Sequence, residues 1–168
     1  MNFAHVLATT LSVALAIPAA ATVVDSPLPV FSNGEQSKHI FSIPGVIHGN
    51  QLATAFTCTS LEKTKTVHWG VELFEPAFSD NPMNDIELDE GVTVLHAGDS
   101  DTIVTSTIAA LGADEQIAAS GLHNGALPGR IVATSTKIMC SAVVMDKVGD
   151  PPSAAYRLPL IRKKQRGD

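Results

Sequence analysis

Residues 66–75 read TVHWGVELFE, and this stretch decides the fold class. From 67 to 73, its odd-numbered positions carry only apolar side chains: Val67, Trp69, Val71 and Leu73. Its even-numbered positions are mixed: His68, Gly70, Glu72 and Phe74. Alternation with a period of two residues is typical of a β-strand that buries one face. The stretch therefore predicts a strand, with Trp69 in the core rather than on a sugar-binding surface.

Other short segments of the chain have the same strand character. They fall in residues 38–46, 52–60, 91–107, 115–120, 129–146 and 154–161. The first is expected to be an edge strand that Pro44 and Gly45 end, because proline cannot donate to a sheet ladder. In residues 52–60, LATAFTCTS, small side chains form one of the two faces. Short strands separated by turn residues predict an all-β sandwich or barrel.

The order of Cys58, Trp69 and Cys140 refines this prediction. In immunoglobulin-like sandwiches a tryptophan about a dozen residues after the first cysteine packs against a disulfide that joins the two sheets. The interval from Cys58 to Trp69 suits that arrangement, whereas the interval to Cys140 is long and Ile138 replaces the expected tyrosine. We therefore predict an immunoglobulin-like β-sandwich of about 7–9 short antiparallel strands, without membership of the antibody family. The expected core residues are Trp69, Phe56 and Val71.

The two cysteines predict a Cys58–Cys140 disulfide if the chain is exported. Two buried free thiols are the alternative that the sequence leaves open. Export is indicated by an apolar run over residues 6–17, followed by Ala19 and Ala21 at the positions of a signal-peptide cleavage site. The run lacks a preceding Lys or Arg, but it is too short to span about 30 Å of hydrocarbon as a retained anchor. We therefore expect cleavage after Ala21 and a secreted or periplasmic protein.

The chain then divides into four parts. We predict a signal peptide at 1–21, an extended leader at 22–37, a single β-sandwich domain at 38–161 and a basic tail at 162–168. The tail carries Arg162, Lys163, Lys164 and Arg166, whereas the whole chain has a net charge of −6. Nucleic acid is not an expected partner of such an acidic body, because phosphate binding needs a basic face. The tail is instead suited to contact an anionic surface such as a membrane or a cell-wall polymer.

Residues 94–104, VLHAGDSDTIV, contain the strongest candidate for catalysis. Gly98, Asp99 and Ser100 spell the nucleophile block of some secreted esterases, with His123 as the only later histidine. Ser120 stands where an aspartate three residues before that histidine is usual, and β-branched residues follow Ser100 where a helix would be needed. We therefore predict the turn of a β-hairpin and no catalytic residues.

Metal sites are weakly indicated, and no cofactor is predicted. A copper site would combine His68 or His96 with Cys140, and Met145 would be its axial ligand. No histidine follows Cys140, however, so the usual cluster cannot form. The acidic residues within 76–90 could bind calcium but lack the ordered spacing of a helix-loop-helix site. Asp99 and Asp101 are expected to face water.

These observations favour an exported, non-catalytic β-sandwich that acts through surface binding, adhesion or envelope association. Two alternatives come from other classes of protein. One is a secreted hydrolase that uses Ser100 and His123, and the other is an envelope metal-binding protein.

Overall fold

The computed structural model describes residues 27–74, 92–111, 115–117 and 124–164. The predicted signal peptide, the acidic stretch at 76–90 and His123 lie outside these ranges. The described residues are nearly all β and contain no α-helix. The strands are β1 Lys38–His48, β2 Leu52–Ser60, β3 Val67–Leu73, β4 Val92–Leu95, β5 Ser100–Val104, β6 Glu115–Gln116, β7 Gly125–Ala133, β8 Ile138–Asp146, β9 Ala155–Arg157 and β10 Ile161–Arg162. A 3₁₀ turn occupies Ala109–Leu111.

The strands form one branched sheet with two halves. The hydrogen-bonded order is β4-β3-β7-β1-β2-β5-β6, with β10 on β1, β8 on β2, and β9 on β8. All of these pairs are antiparallel except β5 with β6. Strands β1 and β2 share only the His48–Ala53 pair, next to the turn that connects them. The first half is therefore β4-β3-β7-β1-β10, and the second half is β6-β5-β2-β8-β9.

Both halves contribute to one hydrophobic core. The first half supplies Ile40, Ile43, Val67, Trp69, Val71 and Ile131, and the second supplies Phe56, Cys58, Ile103, Ile138 and Ala142. Trp69 is fully buried, and its indole nitrogen has no hydrogen-bond partner among the described residues. Trp69 therefore contributes to the stability of the core through the packing of its ring. The two halves face each other across this core, which explains the period-two patterns of β2 and β3.

Strand β1 corrects the prediction of an edge strand that ends at Pro44. It continues to His48 and lies inside the sheet, between β7 and β10. The register with β7 shifts between Ile43 and Val46, so Pro44 and Gly45 fall in an irregularity of the ladder. A bulge leaves one residue unpaired, and proline can occupy that position without losing a ladder hydrogen bond.

A second register shift in β1 lies between His39 and Phe41. His39 is opposite Val132, and Phe41 is opposite Ile131, so Ile40 is the extra residue. Ile40 and Phe41 are both buried in the shared core. The bulge consequently brings His39 and Ser42 together on the outer face, although an odd number of positions, three, separates them along the strand.

The outer face of the first half is covered by the leader. Phe31 is 1% exposed and clusters with Val92 and Val132 on this face. The carbonyl of Pro27 accepts a hydrogen bond from Arg130 Nη2 at 2.6 Å. A turn at Gly34, with φ of 84°, reverses the leader. Both faces of β3 are therefore buried, which its alternating sequence does not predict.

The predicted turn at Gly98 is confirmed, but the predicted hairpin is wrong. Gly98 has φ of 81°, and the Asp99 amide donates to the His96 carbonyl at 3.1 Å. Strand β4 pairs with β3 and strand β5 pairs with β2, so the turn connects the two halves of the sheet. The same glycine turn can join two paired strands of a hairpin or connect two halves of a sheet. Only the distant partner strands determine which of these forms.

The predicted Cys58–Cys140 disulfide is present, with 82 residues of sequence separation and a Cα–Cα distance of 4.1 Å. Its expected position is wrong. Cys58 and Cys140 are directly opposite each other on β2 and β8, so the bond joins neighbouring strands of the second half rather than two sheets. Trp69 belongs to the first half and shares only the core with them.

Candidate functional site

The C-terminal segment borders an open pocket in the described part of the chain. Strand β9 pairs with β8 of the second half, and β10 pairs with β1 of the first half. The chain between them therefore crosses one side of the core. It is held there by the Leu158 amide, which donates to the Ala142 carbonyl at 2.9 Å. Leu158 and Leu160 are partly buried and pack against the core from outside.

This crossing leaves a pocket of about 490 Å³. Its lining residues are Phe41, Cys140, Arg157, Leu158, Pro159 and Leu160. Five of the six carry neutral, mainly apolar side chains. Arg157 is exposed, and its guanidinium has no hydrogen-bond or ion-pair partner among the described residues. An unpaired guanidinium beside an apolar surface is suited to an anionic ligand.

Further cations and apolar side chains surround the pocket. Arg162 lies over the Phe41 ring at 5.5 Å, and its Nη2 donates to the Thr136 carbonyl at 2.9 Å. Lys163 and Lys164 are exposed beyond it. Tyr156 and Ile161 are 66% and 57% exposed. We call residues 156–164, together with the pocket, the C-terminal corner.

A buried polar row lies on the outer face of the first half, beneath the leader. Glu72 of β3 and Arg130 of β7 are directly opposite each other and form an ion pair through Oε2 and Nε. They are 2% and 1% exposed. The Arg130 guanidinium also lies 5.1 Å from the centre of the Phe74 ring. Because both charges are buried, each of them depends on the other for its stabilisation inside the protein.

Ser42 and His39 extend this row on β1. The Ser42 Oγ and His39 Nε2 atoms are hydrogen bonded at 2.9 Å. The pKa of His39 is lowered from 6.5 to about 4, mainly by burial. The positive charges of Arg130 and Lys163 lower the pKa further, whereas a hydrogen bond with the Phe41 backbone raises it. A catalytic histidine instead needs an acidic partner that increases its basicity. Glu72, the carboxylate of this row, is ion paired with Arg130.

The lowered pKa of His39 predicts how stability depends on pH. The folded protein favours the neutral imidazole, so this contribution to stability is complete above about pH 6.5 and is lost as the pH falls toward 4. Because the ring is partly screened by solvent, we expect a loss of about 2 kcal/mol from this group.

Urea unfolding between pH 4 and 7, followed by circular dichroism, measures this dependence. The His39→Asn variant is the control, since asparagine keeps a hydrogen-bonding partner for Ser42 without titrating. Its stability should fall less over the same interval. Parallel pH profiles for the two proteins would contradict the assignment.

The structure places Ser100 and the proposed metal ligands His68 and Cys140, whereas His123 lies outside the described residues. Ser100 is exposed, and its hydroxyl bonds Thr59 Oγ1 at 2.7 Å on the outer face of the second half. Cys140 is consumed by the disulfide, so it cannot supply the thiolate of a copper site. His68 instead contacts the side-chain amide of Asn33 and the ring of Phe31. No group of three potential metal ligands occurs in the part of the chain that the structure describes.

Two features of the site escaped the sequence analysis. Asp101 does not face water: it is half-buried and accepts hydrogen bonds from the Thr93 hydroxyl and the Thr102 amide, which links β5 to β4. The ion pair of Glu72 and Arg130 is the second. Charged residues in the middle of otherwise apolar strands were the only available signal for that pair, and the same signal also fits a solvated face.

Comparisons with family models, curated proteins and solved structures found no match to this chain. No helix among the described residues is long and apolar enough to cross a bilayer. The fold and the C-terminal corner thus define a small all-β protein that contains a disulfide and concentrates unpaired cations beside exposed apolar side chains.

Proposed function

We propose that the protein is an exported, non-catalytic binding module that attaches to anionic lipid surfaces through its C-terminal corner. The observation that carries the proposal is the combination of charge and apolar exposure there. Arg157, Lys163 and Lys164 are exposed without ion-pair partners among the described residues, and Tyr156 and Ile161 of the same segment are exposed as well. The chain as a whole is acidic, with a net charge of −6.

An anionic bilayer matches both properties of the corner. Basic residues near such a surface gain about 1 kcal/mol each from its negative potential. Exposed Tyr156 and Ile161 gain free energy when they enter the interfacial region. A purely polar cell-wall polymer would attract the cations equally but would leave these apolar side chains in water. The lipid surface is therefore the better partner.

Export is part of this proposal. The apolar N-terminal run is followed by Ala19 and Ala21 in the pattern of a cleavable signal peptide. The disulfide supports export as well, because such bonds persist mainly in oxidising compartments. Edman sequencing of the secreted protein should begin at Thr22. An N-terminus that retains the apolar run would contradict this part of the proposal.

We also propose an immunoglobulin-like sandwich as the architecture. Two facing halves around a buried Trp69, built from short antiparallel strands, support this assignment. The disulfide within one half and the parallel pairing of β5 with β6 are departures from the usual domain.

Vesicle sedimentation tests the proposed attachment. The mature chain should bind vesicles of phosphatidylcholine with 30% phosphatidylglycerol and should not bind phosphatidylcholine alone. The Lys163→Gln/Lys164→Gln variant should bind at least about tenfold more weakly, since two charges near the surface are removed. Binding should also decrease at high salt, where exposed charges are screened.

Lys147→Gln is the control variant. Lys147 directly follows β8, and its Nζ contacts the Gly49 carbonyl in the turn between β1 and β2, so its removal changes the net charge without removing a residue of the corner. Its vesicle binding should stay close to that of the wild type. Binding that does not discriminate between the two kinds of vesicle, or equal losses in both variants, would overturn the proposal.

A further inference from the structure

We propose that the pocket of the C-terminal corner binds one single-chain amphiphile with a carboxylate head group, taken up as a free molecule from solution. This site goes beyond attachment to a lipid surface. It depends on the pocket lining, which includes Arg157, whereas Lys163 and Lys164 serve attachment alone, so the two activities can be separated by lysine variants.

The lining supplies a place for an apolar chain. The pocket has a volume of about 490 Å³, which is within the range of roughly 300–1,000 Å³ that small-molecule sites occupy. Phe41, Leu158 and Leu160 form its apolar surface. Phe41 is 8% exposed and belongs to the core, so this part of the wall is rigid. An acyl chain placed there would remove the leucine side chains from water.

Arg157 supplies the charge that selects the head group. It is the only charged residue in the lining, and no hydrogen bond or ion pair engages its guanidinium within the described chain. A guanidinium presents two parallel N–H groups to a carboxylate, which is the geometry of a bidentate ion pair. Within the described residues, this guanidinium has no anionic partner, and a bound carboxylate would supply one.

The number of available cations favours a head group with a single charge. Arg162 also lies near the pocket, over the Phe41 ring, but its guanidinium donates a hydrogen bond to the Thr136 carbonyl. Lys163 and Lys164 are exposed and do not line the pocket, and the Lys163 backbone amide donates to the Ile40 carbonyl of β1. One free guanidinium beside an apolar pocket matches one carboxylate on one chain.

Isothermal titration of the mature protein with decanoate tests this site. We expect saturable binding with one molecule per chain. Decyl maltoside has the same chain with a neutral head, and acetate has the same head without a chain. Each should bind at least tenfold more weakly than decanoate. Equal affinities for decanoate and decyl maltoside would remove the role of Arg157 and overturn the proposal.

Two variants locate the binding. Arg157→Gln removes the cation, and Pro159→Glu places a repelling carboxylate in the exposed part of the lining. Both should weaken decanoate binding about tenfold or more, because charge-assisted hydrogen bonds contribute roughly 1.5–3 kcal/mol. Circular dichroism and thermal unfolding verify that each variant is folded. Unchanged affinity in both folded variants would place any bound decanoate elsewhere and refute the site.

The lysine variants separate this inference from the proposed function. Lys163→Gln/Lys164→Gln should keep the decanoate affinity of the wild type while losing affinity for anionic vesicles. Arg157→Gln should show the larger effect on decanoate. If vesicle attachment fails in every protein but decanoate still binds with this pattern, the pocket stands without the membrane function. If decanoate affinity follows the lysines, the binding reflects general charge attraction and the pocket proposal is wrong.

Discussion

Replacing Glu72 by leucine is expected to lower the free energy of unfolding by about 3–5 kcal/mol. The substitution removes the Glu72 carboxylate from the Arg130 guanidinium, which is 1% exposed inside the protein. A buried charge that loses its counterion keeps its full desolvation cost but loses the compensating attraction. Urea unfolding of the wild type and the variant at pH 7 measures the difference.

The double variant Glu72→Leu/Arg130→Leu shows whether this cost belongs to the pair. Replacing a buried ion pair by apolar side chains of similar volume is often close to neutral. We therefore expect the double variant to be clearly more stable than the sum of the single effects implies, with a coupling energy of at least about 2 kcal/mol. Some loss remains, because Arg130 also donates to the Pro27 carbonyl and lies over Phe74.

A second ion pair provides the control for this cycle. Glu62 and Lys137 lie 3.3 Å apart, and the Lys137 side chain is 67% exposed. Because water screens such a pair, the Glu62→Leu and Lys137→Leu cycle should show much weaker coupling. Comparable coupling in the two cycles, or strictly additive effects for Glu72 and Arg130, would show that burial does not strengthen the inner pair.

Removing the disulfide with Cys58→Ala/Cys140→Ala is expected to lower the free energy of unfolding by about 4 kcal/mol. The bond closes a loop of 82 residues, so it restricts the unfolded chain strongly in the chain-entropy account. The strands it joins also share a continuous ladder from Leu52–Asp146 to Ser60–Ile138. The variant should therefore keep its all-β circular dichroism spectrum and lose stability rather than fold.

Thiol chemistry provides the independent measurement. The unreduced native protein should react with no alkylating reagent, because both of its cysteines are in the bond. Wild-type protein that is reduced in denaturant, alkylated and refolded should lose stability to a similar degree as the double alanine variant. Two reactive thiols in the native protein, or unchanged stability of the variant, would contradict the structure.

Local alternation of side chains determined most of the strands. Residues 52–60 form β2 with the bounds that the sequence predicts, and TVHWGVELFE contains β3. The turn near 135–137 separates β7 from β8 as expected. These features depend on neighbours in sequence, since a strand that buries one face must alternate. Glycine at 98 similarly predicted a turn, because positive φ is a local property.

Bulges and strand partners were beyond the reach of that alternation. The extra residue at Ile40 brings His39 beside Ser42, a pair that a strict period of two would place on opposite faces. Proline at 44 indicated a strand end because nothing local shows that a bulge will accommodate it. Both features depend on how β1 aligns with its distant partner strand β7, which the local sequence does not specify.

The candidate site divides in the same way. The sequence by itself determined an all-β chain with a core around Trp69, a cysteine pair able to form a disulfide, and a basic C-terminal segment. Only the tertiary structure packed residues 157–160 against Phe41 and Cys140 to form a pocket, and only it buried the Glu72–Arg130 pair beneath the leader. The physical reason is that alternation and charge are properties of neighbouring residues. Pockets and buried ion pairs instead arise where segments far apart in sequence pack together.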